Sequence, residues 1–248
     1  MGEGTIRIGI GGWNFPPWRG VFYPDKHPQA KELEYASSQM GAIEINATFY
    51  GRQKSKSWEN WEKTVPDAFQ FAIKGSRYCV SRSKLAESAD SIANFFGQGF
   101  EVLGPKLGPI LWQFAPFKKF DRDDIAAFID LLPADLNGIK LRHAIEPRHD
   151  SFNDERFFDL CRARNIAVVY EDSDDYPLIE ADTADFSYAR LQRMNDEIPT
   201  GYDDAALDIF AAKAREWRKR GDAYIFMING AKVRAPAAAL ALQVKLGI

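Results

Sequence analysis

Apolar and polar positions recur along this chain with two periods, and segments of each kind follow one another from end to end. Short runs in which every second residue shares a face predict strands, and stretches with apolar residues three and four apart predict helices. The predicted strands cover 6–10, 42–46, 69–73, 107–114, 140–145, 166–170, 186–191 and 223–228. The predicted helices cover 30–40, 57–64, 84–100, 121–132, 154–164, 203–220 and 236–246.

This alternation predicts a parallel sheet with helices around it, and eight units in 248 residues predict that the sheet closes into a barrel. We therefore expect an α/β protein with a single (β/α)8 TIM-like barrel as one domain over 1–248. The sixth βα unit is expected to be short or irregular, because 173–185 is acidic and contains proline. An open doubly wound sheet is the rival, but Gly9-Ile10-Gly11-Gly12 lacks the GxGxxG spacing of its phosphate-binding turn.

The composition of the chain limits the kinds of partner that it can bind. The net charge of −3 gives no broad basic surface, which argues against a general nucleic-acid binder. Cys79 and Cys161 are too few for a disulfide framework and are interpreted as buried apolar residues. No apolar run approaches the ~20 residues that span a bilayer, and the first residues lack the pattern of a secretory signal. We expect no membrane partner and a cytoplasmic location.

Polar residues are concentrated near the carboxyl ends of the predicted strands, where barrel sites form. Period two places the following on the lumen side: Glu44, Asn46, Lys74, Gln113, Glu146, Arg148, Asp172, Tyr188, Arg190 and Asn229. Arg142 begins its strand, so we expect it at the opposite end. One interpretation is a balanced ion-pair network that plugs the barrel, although burying such a network is costly. The other, which we favour, is a functional site.

The basic members of this set are suited to bind an anionic substrate, since arginine forms a bidentate fork with carboxylate or phosphate. They are Lys74, Arg148 and Arg190. The acidic members are candidate catalytic acids or bases, provided that burial or a like-charged neighbour raises one pKa. They are Glu44, Glu146 and Asp172.

The three histidines and the acids do not form an obvious metal site. His149 is expected in a loop at the site and is counted among the candidate substrate-binding residues. His143 is expected in the core on the helix-facing side, and His27 in solvent. No HxH spacing occurs, and the interleaved cations compete for the carboxylates. We expect no metal and no cofactor.

The loop that follows the first strand, 11–24, is long, aromatic and rich in proline. Two interpretations stay open. Trp13, Trp18 and their neighbours form a plug over one barrel end or a stacking wall for a sugar or base ring, and the two are not exclusive. Trp13, Trp18 and Tyr50 are therefore included among the candidate substrate-binding residues.

Motifs in a specific order and spacing also carry a resemblance to a known family. They are Gly12-Trp13, Trp18-Arg19-Gly20, Phe22-Tyr23-Pro24, the run from Glu44 to Tyr50, Trp58, Trp61, Phe71-Ala72-Ile73-Lys74, Leu107-Gly108-Pro109, Leu111, Gln113, Glu146, Arg148-His149, Asp172, Tyr188 and Arg190. Over nearly its whole length the chain resembles the DUF72 (YecE-like) family of TIM-barrel proteins. The resemblance implies the barrel and a polar pocket at the strand carboxyl ends, and it implies no particular reaction.

The chain departs from the family pattern in three places. Arg190-Leu191-Gln192-Arg193 stands where the family usually has Arg-Leu-His-Gly, and Ile228-Asn229-Gly230 keeps one asparagine of an Asn-Asn-Asp-like run. Ser151-Phe152 replaces Ser-Trp. If the missing histidine is catalytic in relatives, this chain is a divergent or inactive member. Arg193 is alternatively a further contact for an anion.

Three functions remain open from the sequence. The first is an enzyme that uses acid/base chemistry on a small anionic, hydroxylated substrate, such as a sugar phosphate or nucleotide fragment. The second is a non-catalytic barrel that binds a ligand or a protein partner. The third is a metal-dependent phosphodiesterase or nucleic-acid repair activity, which rests on analogy between barrels alone and which the acidic balance disfavours. The sequence does not specify an oligomeric state.

Overall fold

The computed structural model describes residues 2–248, so Met1, the first residue of the predicted domain, lies outside the described residues. Strands and helices alternate along the chain. The strands are β1 (Ile6–Gly11), β2 (Ala42–Ile45), β3 (Gln70–Lys74), β4 (Leu107–Gln113), β5 (Asp135–Leu136), β6 (Ile139–Lys140), β7 (His143–Glu146), β8 (Ile166–Val168), β9 (Tyr170–Asp172), β10 (Phe186–Leu191) and β11 (Asp222–Met227).

Helices follow most of these strands. The α-helices are α1 (Glu32–Gln39), α2 (Ala47–Tyr50), α3 (Ser55–Thr64), α4 (Arg77–Val80), α5 (Ala89–Phe96), α6 (Arg122–Asp130), α7 (Glu155–Ala163), α8 (Asp204–Arg218) and α9 (Ala235–Leu246). Short 3₁₀ helices cover Pro16–Trp18, Gln29–Lys31, Leu85–Glu87, Phe100–Lys106, Asp150–Phe152 and Lys232–Arg234.

The main sheet is parallel and its order, β8-β7-β4-β3-β2-β1-β11-β10-β9, closes through a split strand. β8 and β9 are separated only by Val169, whose N–H donates to the Ile145 carbonyl (2.9 Å). β8 pairs with β7 and β9 pairs with β10, so one broken segment joins the two edges. The predicted (β/α)8 TIM-like barrel is confirmed, with β8 and β9 together as its sixth strand.

Two differences from the predicted elements have local causes. The helix predicted over 84–100 is interrupted: α5 ends at Phe96, and Gly99 follows with a φ of 90° that a helix cannot continue. The strand predicted over 140–145 begins only at His143, because Lys140 belongs to a small antiparallel hairpin, β5–β6. That hairpin turns at Asn137-Gly138, where both φ angles are positive (52° and 85°), the backbone that Asn-Gly favours.

The sixth βα unit has no helix between Ser173 and Asp185, as the acidic, proline-containing sequence predicts. Tyr176 in this segment packs its ring against the guanidinium of Arg148, with 4.0 Å from the guanidinium carbon to the ring centroid. The irregular segment therefore covers part of the barrel's carboxyl end.

The outer core lies between the sheet and its helices and is rich in aromatic side chains. Trp112 of β4 packs edge-on against Phe128 and donates from Nε1 to His143 Nδ1 (3.1 Å). His143 Nε2 lies 2.8 Å from the Pro133 carbonyl, and burial lowers the pKa of this histidine to about 4. His143 is thus a neutral core residue on the helix-facing side, where the alternation of its strand predicts it.

The lumen is filled by aliphatic and aromatic side chains: Ala42, Ala72, Leu111, Ala144, Ala167, Val169, Phe186, Tyr188, Tyr224, Phe226 and Ile228. Polar groups close its amino end, where Arg142 Nη1 donates to Asp222 Oδ2 (2.8 Å) and to Tyr224 Oη (2.7 Å). Arg7 adds a second ion pair to Asp222 (3.1 Å). Arg142 therefore lies at the amino end, away from the strand carboxyl ends, as its place in the sequence predicts.

Candidate functional site

Arg190 is the centre of an ionic cluster at the carboxyl end of the lumen. It is 1% exposed. Its Nε and Nη2 donate to the two oxygens of Glu44 (3.1 and 3.2 Å), and its Nη1 donates to Glu146 Oε2 (2.6 Å). Tyr188 also donates to Glu44 Oε2 (2.7 Å). These residues lie near the carboxyl ends of β2, β7 and β10. Alternation along each strand points their side chains into the lumen.

Glu146 is held from three sides. Arg148 Nε and Gln113 Nε2 both donate to its Oε1 (2.7 and 2.8 Å), opposite the oxygen that Arg190 binds. Although burial works in the other direction, the charges of Arg190 and Arg148 lower the pKa of Glu146 to about 2. Glu146 is therefore a permanent anion near neutral pH and is poorly suited to exchange protons.

Glu171 belongs to the same cluster, although it is not among the residues predicted from the sequence. Its Oε1 accepts hydrogen bonds from Arg148 Nη2 (3.2 Å) and Gln192 Nε2. Burial and the adjacent Glu146 carboxylate raise the pKa of Glu171 to about 9. Within residues 2–248 its buried Oε2 has no hydrogen-bond partner. Glu171 is the neutral acid of the cluster.

Asp172 lies outside the cluster, which corrects the prediction that it faces the lumen. It accepts a hydrogen bond from Tyr202 Oη (3.1 Å) and forms an ion pair with Arg193. The lumen side of the split strand is taken by Ala167, Val169 and Glu171, so the parity of the strand excludes Asp172. Counting from Ala167 rather than from the last acid would have found Glu171.

A cleft of about 230 Å³ opens above the cluster. Its polar lining comes from four βα units: Asn46, Tyr50, Lys74, Arg190, Asn229 and Lys232. Gly11 completes the wall, where a Cβ would lie 2.7 Å from Ile228 and 3.1 Å from Asn46 Nδ2. Lys232 was not predicted from the sequence because it lies beyond the last strand, in a 3₁₀ helix that the sequence pattern does not mark.

The two lysines of the cleft are cations without an anionic partner in the described part of the chain. Lys74 Nζ lies 4.6 Å from the centroid of the Phe49 ring, and Lys232 Nζ lies 4.7 Å from that of Phe15. Burial, and then repulsion from Arg190, lower the pKa of Lys74 to about 8. Burial also lowers the pKa of Lys232. With Glu44 and Glu146 already bound to Arg190, the cleft carries an excess of positive charge.

Three further candidates for substrate binding lie elsewhere. Trp18 is fully buried and donates from Nε1 to the Lys232 carbonyl (2.9 Å), so it cannot contact a ligand. Trp13 packs edge-on against Trp61 (5.1 Å between ring centroids) on the helix side. His149 caps a 3₁₀ helix, where its Nδ1 accepts from the Ser151 N–H (3.1 Å). None of these three side chains lines the cleft, and the aromatic loop packs mainly against itself and the core.

Arg193 also differs from its predicted use. Its guanidinium binds Asp172 and lies 3.7 Å from Asp174, so these two acids already occupy it. Gln192, the residue in the place of the family's histidine, connects Glu171 to Asn229, whose Nδ2 donates to Gln192 Oε1 (3.0 Å). Within residues 2–248, no three His, Cys, Asp or Glu side chains are placed to share a metal ion. In the same span no helix is long and apolar enough to cross a membrane.

Fold and site together define an eight-stranded parallel TIM-type barrel with a cationic cleft at the carboxyl ends of its strands. The family model "Protein of unknown function DUF72" matches residues 7–248, so the chain belongs to the DUF72 family.

Known relatives agree with this assignment. UPF0759 protein YunF of Bacillus subtilis (strain 168) is 29% identical to this chain over 126 residues. The aligned part is 49% of this chain and 44% of YunF, so the match spans less than half of YunF. A solved DUF72 family protein of Thermotoga maritima MSB8 (TM1631) has a TM-score of 0.82 at 21% identity, over 98% of this chain and 100% of that one. Another, of Enterococcus faecalis V583 (EF0366), has a TM-score of 0.79 at 16% identity, over 98% and 96%. At these identities the solved structures show the shared fold alone.

Proposed function

We propose that the cleft binds a small anionic, hydroxylated molecule, such as a sugar phosphate or a nucleotide fragment, and that the protein is an enzyme acting on it. The observation that carries the proposal is a pair of lysines, Lys74 and Lys232, that have no anionic partner within residues 2–248 and that line one cleft together with Arg190. Lys74 is buried and Lys232 is partly buried. Cations withdrawn from water without a partner are costly, and a phosphate or carboxylate between the two lysines would supply the missing charge.

The roles of the lining residues follow from their contacts. Lys74, Lys232 and the outer edge of Arg190 would bind the anion, and the amides of Asn46 and Asn229 would bind hydroxyl groups. Glu44 and Glu146 would act as positioning residues that hold Arg190, because both are fully buried and already bind its guanidinium. This revises the expectation that they donate and accept protons. A single domain over 1–248 and a cytoplasmic location stay predictions.

Inorganic phosphate is a direct probe of this site. Titrated against the protein at constant ionic strength, it should raise the midpoint of thermal unfolding more than chloride does, because it binds the folded state alone. Lys74→Met and Lys232→Met should each weaken phosphate binding at least about tenfold, equivalent to ~1.4 kcal/mol. Lys140→Met is the matched control, since Lys140 is exposed on the β6 hairpin.

Equal phosphate affinity in the wild type, Lys74→Met and Lys232→Met would refute the proposed site. Ribose 5-phosphate tests the hydroxyl contacts: it should bind more tightly than phosphate, and Asn229→Ala should remove that difference.

A non-catalytic binding barrel is the second candidate, favoured by the engagement of Glu44 and Glu146 in ion pairs. It predicts the same phosphate binding. Prolonged incubation with bound sugar phosphates, followed by NMR, separates the two: unchanged ligand across a panel of them would favour binding alone.

A further inference from the structure

Lys74 differs from the other buried lysines of this protein. Lys106 and Lys118 are similarly buried, and both are bound by acceptors: Lys106 Nζ donates to the carbonyls of Glu62 (2.6 Å) and Val65 (3.0 Å), and Lys118 Nζ donates to the Ser83 carbonyl (2.7 Å) and binds Asp124. In the described chain Lys74 Nζ has no such acceptor. A buried lysine without acceptors is costly to maintain, which points to a use other than stability.

The backbone around Lys74 is nevertheless firmly fixed. Lys74 ends β3, and its carbonyl accepts a hydrogen bond from Thr48 Oγ1 (2.6 Å), which joins it to the start of α2. The Phe49 ring from α2 then lies beside the ammonium group. The side chain is therefore held at the cleft by apolar packing, with Nζ left free to contact a ligand.

The surroundings shift Lys74 towards the neutral amine by lowering its pKa. Arg190 repels the ammonium, while Glu44 and Glu146, the carboxylates whose charges act on Lys74, are bound to Arg190. A desolvated lysine next to a second cation is one of the ways in which proteins produce a nucleophilic amine near neutral pH. With a pKa of about 8, a useful fraction of Lys74 is unprotonated under ordinary conditions.

We propose that Lys74 is a nucleophile that forms an imine with an aldehyde or ketone carrying an anionic group. This inference rests on the proposed function and narrows its substrate class to anionic carbonyl compounds. The Nζ lone pair attacks the carbonyl carbon, a C=N bond replaces the C=O bond, and the oxygen leaves as water with the two amine hydrogens. The step needs neither oxidant nor reductant. Arg190 and Lys232 bind the anionic group of the same molecule.

Reductive trapping tests the imine directly. The wild-type protein is incubated with glycolaldehyde phosphate and sodium cyanoborohydride, and its modified peptides are identified by mass spectrometry. Modification of Lys74 should exceed that of exposed Lys140 at least about tenfold. It should increase with pH around a midpoint near 8, and inorganic phosphate should compete with it. Uncharged glycolaldehyde should show little preference for Lys74.

A charge-conserving variant separates this inference from the proposed function. Lys74→Arg should retain phosphate binding, as judged by thermal shift, and lose the specific adduct. Uniform modification of exposed lysines in the wild type, alongside normal phosphate binding, would overturn the imine and leave the anion site standing. Absence of both phosphate binding and the adduct would overturn both.

Discussion

Arg190 is the residue on which the carboxyl end of the lumen depends. It lies between two fully buried carboxylates, Glu44 and Glu146. Arg190→Met would leave both carboxylates without this partner, and the loss of one member of a buried ion pair costs about 3–5 kcal/mol. We expect urea unfolding to show a loss of that size. Arg162→Met, which removes the exposed ion pairs to Glu155 and Asp159, should cost less than about 1 kcal/mol. Similar losses in the two variants would contradict the buried network.

Glu171 gives the cluster a specific pH dependence. Its folded pKa is raised from 4.5 to about 9, so within that interval the folded state retains a proton that the unfolded state has lost. Its contribution to stability is therefore complete below pH 4.5 and declines as the pH rises through about 9. The pKa of Glu146 is lowered from 4.5 to about 2, so Glu146 changes the pH dependence of stability only below this interval.

Glu171→Gln should flatten this dependence, since an amide does not titrate. The measurement is the difference between the unfolding free energies of the wild type and of the variant, determined from pH 4.5 to about 9. The difference should become less favourable to the wild type as the pH rises. Glu180→Gln is the control, because Glu180 is exposed and binds Lys213. A constant difference would mean that Glu171 is ionised in the fold.

At the scale of elements, most of the site could be predicted from period two. Glu44, Lys74 and Arg190 lie at strand ends, and regular alternation turns them inward as expected. The prediction failed at Asp172 because it counted the alternation from the last acid of the sixth strand. Ala167, Val169 and Glu171 share the lumen side, so Asp172 lies on the opposite face.

Loops were less predictable than strands because their side-chain directions follow from long-range packing. From the sequence, Trp13 and Trp18 could form a plug or a stacking wall for a ligand. Their contacts with Trp61 and with the Lys232 carbonyl show that both side chains pack within the protein. Lys232 itself reaches the cleft because Trp18 binds its backbone from the other end of the chain, a contact across 214 positions. No local pattern encodes that contact.

The turn after β11 provides a test of how closely it approaches the loop that follows β10. Gly230 has a φ of 55°, and a Cβ there would lie 2.3 Å from the Gln192 carbonyl oxygen. Gly138 has a φ of 85°, and a Cβ there would meet no atom within 4 Å, so this position isolates the cost of the backbone conformation. Gly138→Ala should cost about 1–2 kcal/mol. Gly230→Ala should cost clearly more by chemical denaturation, and equal costs would contradict the close approach.

At the scale of the whole molecule, the two ends of the barrel carry different kinds of polar group. At the amino end, Asp222 forms ion pairs with both Arg7 and Arg142, so its charge is neutralised within the protein. At the carboxyl end, Lys74 and Lys232 have no such partner among the described residues. In barrels of this type the amino end serves stability and the carboxyl end serves chemistry. The unpartnered lysines of the carboxyl end and the paired Asp222 of the amino end should therefore respond oppositely to substitution.

This opposition is measurable by thermal unfolding with and without phosphate. Asp222→Asn should lower stability by about 1–3 kcal/mol, because it weakens the contacts of two arginines, and should leave the phosphate-induced shift unchanged. Lys74→Met should raise stability by about 1–2 kcal/mol near neutral pH, because it removes a buried cation without a partner, and should reduce the shift. In a protein of this size, 1 kcal/mol corresponds to about 2–4 °C. If Lys74→Met instead lowered stability without phosphate, Lys74 would be a structural residue, and the distinction between the two ends would fail.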